Sequence, residues 1–266
     1  MSRLALLFTV IIFAAVPHTA SAKTICTIVI DAASSDVLHE EGKCDTRATP
    51  ASTFKVALAL IGFDADYLKS AQSPVLPFKE GYADWGVKAW QQDTTPERWM
   101  RYSVVWYSQQ ITNALGAQRI SDYLQNIGFG NANFSGDKGF NNGLERAWIA
   151  SSLEISPREQ VHYLSRMLNH ELPVSAKAVE LTKSIVQIDQ AQSGWTVHGK
   201  TGLAFPRNAD RSFNRSRGFG WYVGWAEKDG RRVVFARLLQ DEKRQKETPS
   251  TRAKAGLLND LSALIE

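Results

Sequence analysis

The chain has 266 residues, 44% of them hydrophobic and 22% charged, which suits one large domain or two packed lobes and excludes a largely disordered protein. The formal charge is +4, and the basic residues are scattered apart from Arg207–Arg217 and Lys243–Lys246. A solvated, mildly basic surface accounts for this better than a nucleic-acid footprint, and a positive cleft for a small anionic substrate stays compatible with it.

Residues 1–22 read as an export signal. Arg3 is a short positive region, Leu4–Val16 an apolar run broken by Pro17, and Ala20-Ser21-Ala22 a cleavage site. The run is short for a membrane anchor, and no later segment has the length to span a bilayer. The expectation is a mature chain from Lys23 with a periplasmic location and no membrane partner. Cys26 and Cys44 follow early. Export permits a disulfide that would staple an N-terminal hairpin to the approach of the next helix; two buried free thiols are the alternative. Two cysteines and dispersed histidines make no metal site.

Thr24–Asp31 is a predicted buried strand, Ala32–Asp36 a turn and Val37–Glu40 a second strand. A helix opens after Pro50 and runs to about Phe63. From Asp64 to Gln192 the pattern is mostly helical, broken by loops rich in Gly, Pro and Asn. Thr95-Pro96 marks a helix start, Gly128 ends a helix over Gln118–Ile127, and Ser156-Pro157-Arg158-Glu159 is a capping box for a helix reaching about Leu168. Val174–Ile188 is a further predicted helix. Strand character then returns in Gly194–Thr201, in Gly218–Glu227 and in Arg231–Leu239. Asp229-Gly230 joins the last two as an antiparallel hairpin. Arg252–Ile265 closes the chain as a helix. The order implies an α+β fold, with one antiparallel sheet built from both chain ends (about 23–48 and 190–266). A helical subdomain (about 49–189) is inserted, all within one domain, residues 23–266.

Ser52-Thr53-Phe54-Lys55 places a nucleophile three residues before a base on one helix face. A serine hydroxyl needs such a base, and a lysine serves only where an apolar pocket disfavours its charge. The helix N-terminus favours the negative charge of acyl transfer. Ser103-Val104-Val105, Phe129-Gly130-Asn131 and Lys200-Thr201-Gly202 follow in that order, with Trp148 between them. Read singly, Ser52 and Lys55 are helix-start residues, Ser103 a cap, Phe129-Gly130-Asn131 a helix-ending turn and Trp148 a core aromatic.

Read together, S-x-x-K, S-x-V, [YF]-G-N and K-T-G resemble the class D serine β-lactamases over essentially the whole mature chain. S-x-x-K and K-T-G are shared with penicillin-binding proteins. S-x-V, Trp148 and Gly218–Trp225 lean toward class D. The resemblance implies the serine β-lactamase/penicillin-binding-protein-like transpeptidase fold, with Ser52 forming an acyl-enzyme on a β-lactam. The N–H groups of Ser52 and Leu203 would form the oxyanion hole. Lys200 would sit near the substrate carboxylate and Ser103, which relays a proton to the departing ring nitrogen. Val105, Thr201, Gly202 and Arg252 would contact substrate, Arg252 through its carboxylate. Lys55 would carry a carbamate from CO2 (N6-carboxylysine), the base for acylation and deacylation, with Trp148 donating to it. Phe54, Val56, Val105 and Leu153 would wall that pocket. No other cofactor is implied. Phe129 replaces the commoner tyrosine, Leu203 stands where many relatives carry an aromatic, and His198 reads as a structural strand residue. The rival readings are a penicillin-binding DD-peptidase and a β-lactam sensor that acylates without fast turnover. Either a monomer or a homodimer is compatible.

Overall fold

The computed structural model describes residues 23–191 and 194–265, so the expected signal peptide lies outside the described residues. Six strands form one sheet in the order β2-β1-β6-β5-β4-β3, and every neighbouring pair is antiparallel. They are β1 (Lys23–Asp31), β2 (Val37–Gly42), β3 (Ile188–Gln190), β4 (Thr196–Ala204), β5 (Phe219–Lys228) and β6 (Arg231–Gln240). Both chain ends therefore meet in the sheet. The helices are α1 (Phe54–Asp64), α2 (Pro96–Tyr102), α3 (Val105–Leu115), α4 (Ala117–Ile127), α5 (Gly143–Arg146), α6 (Pro157–Leu168), α7 (Ala176–Ile185) and α8 (Pro249–Asp260). None of them is long and apolar enough to cross a membrane.

Strand alternation splits the core in two. Trp221, Val223 and Trp225 of β5 face the large cluster containing α1 and α6, whereas Tyr222 and Ala226 face the smaller cluster with Ala253 and Leu257 of α8. From Phe54 to Phe63 α1 is buried all round, so it is the central helix of the larger core. At about 2–3 kcal/mol for each fully buried large side chain, this packing outweighs any single helix cap, worth about 1 kcal/mol.

Local chemistry explains the element ends. Lys228 pairs with Arg231 across Asp229 and Gly230, which both take positive φ (51° and 78°), the turn an Asp-Gly pair suits. Ser156 and Glu159 form the reciprocal capping box of α6, and Thr95 accepts from Arg98 N at the start of α2. Cys26 and Cys44 are bonded (Cα–Cα 5.0 Å), closing the β1–β2 hairpin ahead of the segment that enters α1.

Several boundaries differ from the sequence reading: β4 runs on to Ala204 and the last helix ends at Asp260 rather than Ile265, and two further differences have a local cause. The helix expected to reach Ile188 stops at Ile185, because Val186 turns extended (φ −70°, ψ 135°) and Ile188 pairs with His198. The last helix starts at Pro249 rather than Arg252, since the Thr248 side chain accepts from Thr251 N and Pro249 takes the first turn.

Candidate active site

The segment Ala51–Thr53 is a single 3-10 turn leading into α1, and it carries Ser52. Ala51 has φ 49°, a conformation that costs a non-glycine residue about 1–3 kcal/mol and persists only where its surroundings impose it. They do so here. Thr53 Oγ1 donates to Pro50 O (2.7 Å) and accepts from Gln160 Nε2 (3.0 Å). On β4, a Cβ at Gly202 would stand 2.8 Å from Pro50 O and 3.0 Å from Thr53 Cγ2, so only glycine lets the strand lie against the turn.

Lys55 is fully buried and its Nζ donates to Ser52 Oγ at 3.5 Å. Burial, and secondly the nearby Lys200 charge, hold this amine well below the ordinary lysine range. Phe54, Val56, Val105 and Leu153 are all buried, so each belongs to the apolar interior rather than to an open surface.

A second serine–lysine pair lies near enough for its charge to act on Lys55. Lys200 Nζ donates to Ser103 Oγ at 2.7 Å and to Thr201 O at 3.1 Å. Burial, then repulsion from Lys254, brings the Lys200 pKa down to about 7. Ser103 ends α2 in the left-handed region (φ 58°, ψ 34°) and α3 begins two residues later. Buried tryptophans brace this corner: Trp90 Nε1 donates to Tyr102 O, Trp106 Nε1 to Trp90 O, and Trp99 Nε1 to Ser108 Oγ, each at 2.8 Å.

Leu203 follows from strand geometry. Gly199 N–H donates to Gln187 O on the β3 side of β4. Alternation turns the Thr201 and Leu203 N–H groups to that same edge, beyond His198, where the pairing with β3 ends.

Trp148 is 1% exposed and packs against Phe54 (5.5 Å between centroids) and Phe134 (6.0 Å). Thr49 ties its loop to the Ser52 turn. The Thr49 hydroxyl donates to Trp148 O (2.9 Å) and accepts from Ala150 N (3.1 Å), and its carbonyl accepts from Trp221 Nε1 (2.9 Å). Arg252 makes no hydrogen bond to either serine–lysine pair among the described residues. Its Nη2 bonds the buried Asp241 carboxylate, while its Nε is buried without a hydrogen bond. Among the described residues, no group of His, Cys, Asp and Glu is arranged to hold a metal ion.

The chain has known relatives. A profile of the penicillin binding protein transpeptidase domain matches residues 25–262. The chain is 41% identical to the β-lactamase OXA-9 of Klebsiella pneumoniae over 90% of this chain and 88% of that one. To the β-lactamase OXA-1 of Escherichia coli it is 37% identical, over 90% and 84%. The solved structure of the OXA-427 class D β-lactamase superposes with a TM-score of 0.82 at 39% identity, covering 92% of this chain and 100% of that one. The chain belongs to the class D β-lactamases.

Within this class D fold, Phe129-Gly130-Asn131 has a bracing geometry. Phe129 packs on Phe54 (5.7 Å) and Tyr163 (5.3 Å). Gly130 (φ 55°) has no room for a Cβ, which would stand 2.1 Å from Glu154 O. Asn131 donates from its backbone to Glu154 O and from Nδ2 to Ser152 O, both at 2.9 Å, and accepts from Glu154 N. The element thus holds the loop that follows Trp148. Sequence reasoning missed Thr49 and the tryptophan bracing. The only signal was composition, since a buried indole N–H needs an acceptor and Trp90, Trp99 and Trp106 cluster around Ser103.

Proposed function

We propose that this chain hydrolyses the β-lactam amide of penicillins and related antibiotics through an acyl-enzyme on Ser52, and so confers β-lactam resistance. The observation that carries the reading is the two serine–lysine pairs, Lys55 on Ser52 and Lys200 on Ser103, with both amines buried and both pulled below the ordinary lysine pKa. An amine held neutral in an apolar pocket is the form that reacts with CO2, so the Lys55 site fits N6-carboxylation. Bound there, CO2 would supply the base for both half-reactions. Trp148, whose indole N–H only donates, is assigned to orient that group.

The protein's own groups do the rest. Ser52 Oγ forms a bond to the lactam carbonyl carbon as its proton leaves toward the Lys55 side. The carbonyl oxygen takes negative charge, which the N–H groups of Ser52 and Leu203 stabilise. The ring C–N bond breaks as Ser103 passes its proton to the nitrogen and regains one from Lys200, whose pKa near 7 suits it to give and take a proton at neutral pH. Water then attacks the ester carbonyl, and Ser52 leaves with a proton. Lys200, Thr201 and Arg252 are assigned to the substrate carboxylate, with Gly202 and Val105 shaping the floor of the site. Arg252 shares its guanidinium with Asp241, which fixes its plane. Export to the periplasm, where the substrates enter, is supported by the Leu4–Val16 run and Ala20-Ser21-Ala22.

Purified protein mixed with a chromogenic cephalosporin tests the reading. Turnover far beyond one equivalent, lost in Ser52→Ala, is expected. A single stoichiometric burst would instead assign the chain to the acylating sensors or peptidases.

A further inference from the structure

The connection between β4 and β5 carries Arg207, Arg211, Arg215 and Arg217 against one acid, Asp210. It is docked on the loop that precedes Trp148. Asp137 is the node: it accepts from Ser151 Oγ at 2.8 Å, lies 3.2 Å from Arg207 Nη2, and lies 3.6 Å from both Arg146 Nε and Arg211 Nη2. Three guanidinium groups share the Asp137 carboxylate, with Glu145 also acting on Arg146, so part of their charge is left uncompensated. Burial and the Arg207 charge both push the Arg146 pKa down. Arg215 and Arg217 are exposed, and neither has a carboxylate partner among the described residues. Aromatic rings lie under the cations: Arg211 sits 4.3 Å over exposed Phe140, Arg207 4.8 Å over Phe213 and Arg215 5.5 Å over Phe205. The result is a shelf that offers aromatic faces and positive charge together.

Its location relates it to substrate. Arg207 Nε donates to Ala150 O (3.5 Å), two residues beyond Trp148, and the connection leaves β4 just after Leu203. In the Ser52 reading, the lactam nitrogen and its neighbouring carboxylate face Ser103 and Lys200. The acyl side chain leaves from the other flank of the scissile carbonyl and follows the free edge of β4 toward residues 205–217. We infer that this shelf is a side-chain subsite favouring β-lactams whose acyl group carries an aryl ring and a second carboxylate. The inference rests on Ser52 hydrolysis. It differs from general attraction of anions, which would act on every β-lactam alike.

A matched pair of penicillins tests it, one with a phenylacetyl and one with a phenylmalonyl side chain, which differ by one carboxylate. The expected result for Arg211→Ala/Arg215→Ala is a loss of about fivefold in kcat/KM on the phenylmalonyl compound, mainly through KM, with the phenylacetyl compound within about twofold. Arg215→Gln alone touches only the Phe205 contact and shows a smaller loss of the same kind. Arg211→Lys keeps the charge and stays near wild type. Raising salt from about 20 mM to about 0.5 M erodes the phenylmalonyl preference of the wild type and leaves the double variant flat. Equal losses on both compounds would make the patch a general steering field, and no loss on either would make it solvated surface; both overturn the subsite. Absence of turnover on both compounds by the wild type would refute the Ser52 reading, and the subsite with it.

Discussion

Replacing Lys200 by methionine removes a buried amine whose pKa in the fold is about 7, against 10.5 for an ordinary lysine. Between those values the unfolded chain holds a proton that the folded chain has lost, so raising the pH favours the fold. Well below pH 7 both states are protonated and the penalty is constant. At pH 7 keeping this amine buried costs the wild type on the order of 4 kcal/mol, and at pH 9 about 2 kcal/mol. The variant loses the Ser103 and Thr201 hydrogen bonds at every pH, so the pH-dependent part of the comparison isolates the Lys200 titration. Urea unfolding of both proteins in CO2-free buffer at pH 6, 7, 8 and 9 measures it. The wild type should gain about 2 kcal/mol on Lys200→Met between pH 7 and 9, equivalent to about 4–8 °C in Tm, and only about 0.4 kcal/mol between pH 6 and 7. A difference that stays constant across the range would show that Lys200 does not titrate there and would remove its part in proton transfer.

Ser103→Ala is expected to lower kcat/KM by about 10²–10⁴-fold, because the departing nitrogen loses its proton donor; a loss below tenfold in steady-state kinetics would refute the relay. Trp148→Phe keeps the ring packing on Phe54 and Phe134 but deletes the indole N–H. A hydrogen bond to a charged group is worth about 1.5–3 kcal/mol, so deacylation should slow by about 10- to 100-fold, with a β-lactam adduct accumulating in intact-protein mass spectra. Gly202→Ala sets a Cβ 2.8 Å from Pro50 O and should cost about 1–3 kcal/mol in urea unfolding, with turnover falling as the Ser52 turn shifts from β4. An unchanged midpoint would mean the strand and turn are less constrained than their packing indicates.

Most of the sheet, and the placing of Ser52 beside Lys55, were legible because their signals are local; β3 was not, since Ile188 read as the end of a helix. An Asp-Gly pair between apolar runs fixes the β5–β6 hairpin, and S-x-x-K next to an apolar helix former places Ser52 and Lys55. Thr49 was not legible, since its partners Trp148, Ala150 and Trp221 are about a hundred residues or more away. The corner at Ser103 was hidden for a different reason. A serine in the left-handed region has no local sequence mark, and the bonds that brace it come from tryptophans only 9 to 16 residues from their acceptors. Thr248-Pro249 carries a helix-start signal of its own, three residues ahead of the expected start at Arg252. Arg252 shows the limit of motif transfer: the resemblance assigns it to a substrate carboxylate, but its ion pair with Asp241 depends on the end of β6 and the start of α8 coming together.

The central claim is that Ser52 is released from its acyl adduct by chemistry at a modified Lys55. Carbon-13 NMR of the protein in labelled bicarbonate tests it most directly. A carbamate resonance should appear, vanish in Lys55→Ala, and rise and fall with cephalosporin turnover as bicarbonate is added and removed. Full turnover in CO2-free buffer with no such resonance would contradict the account.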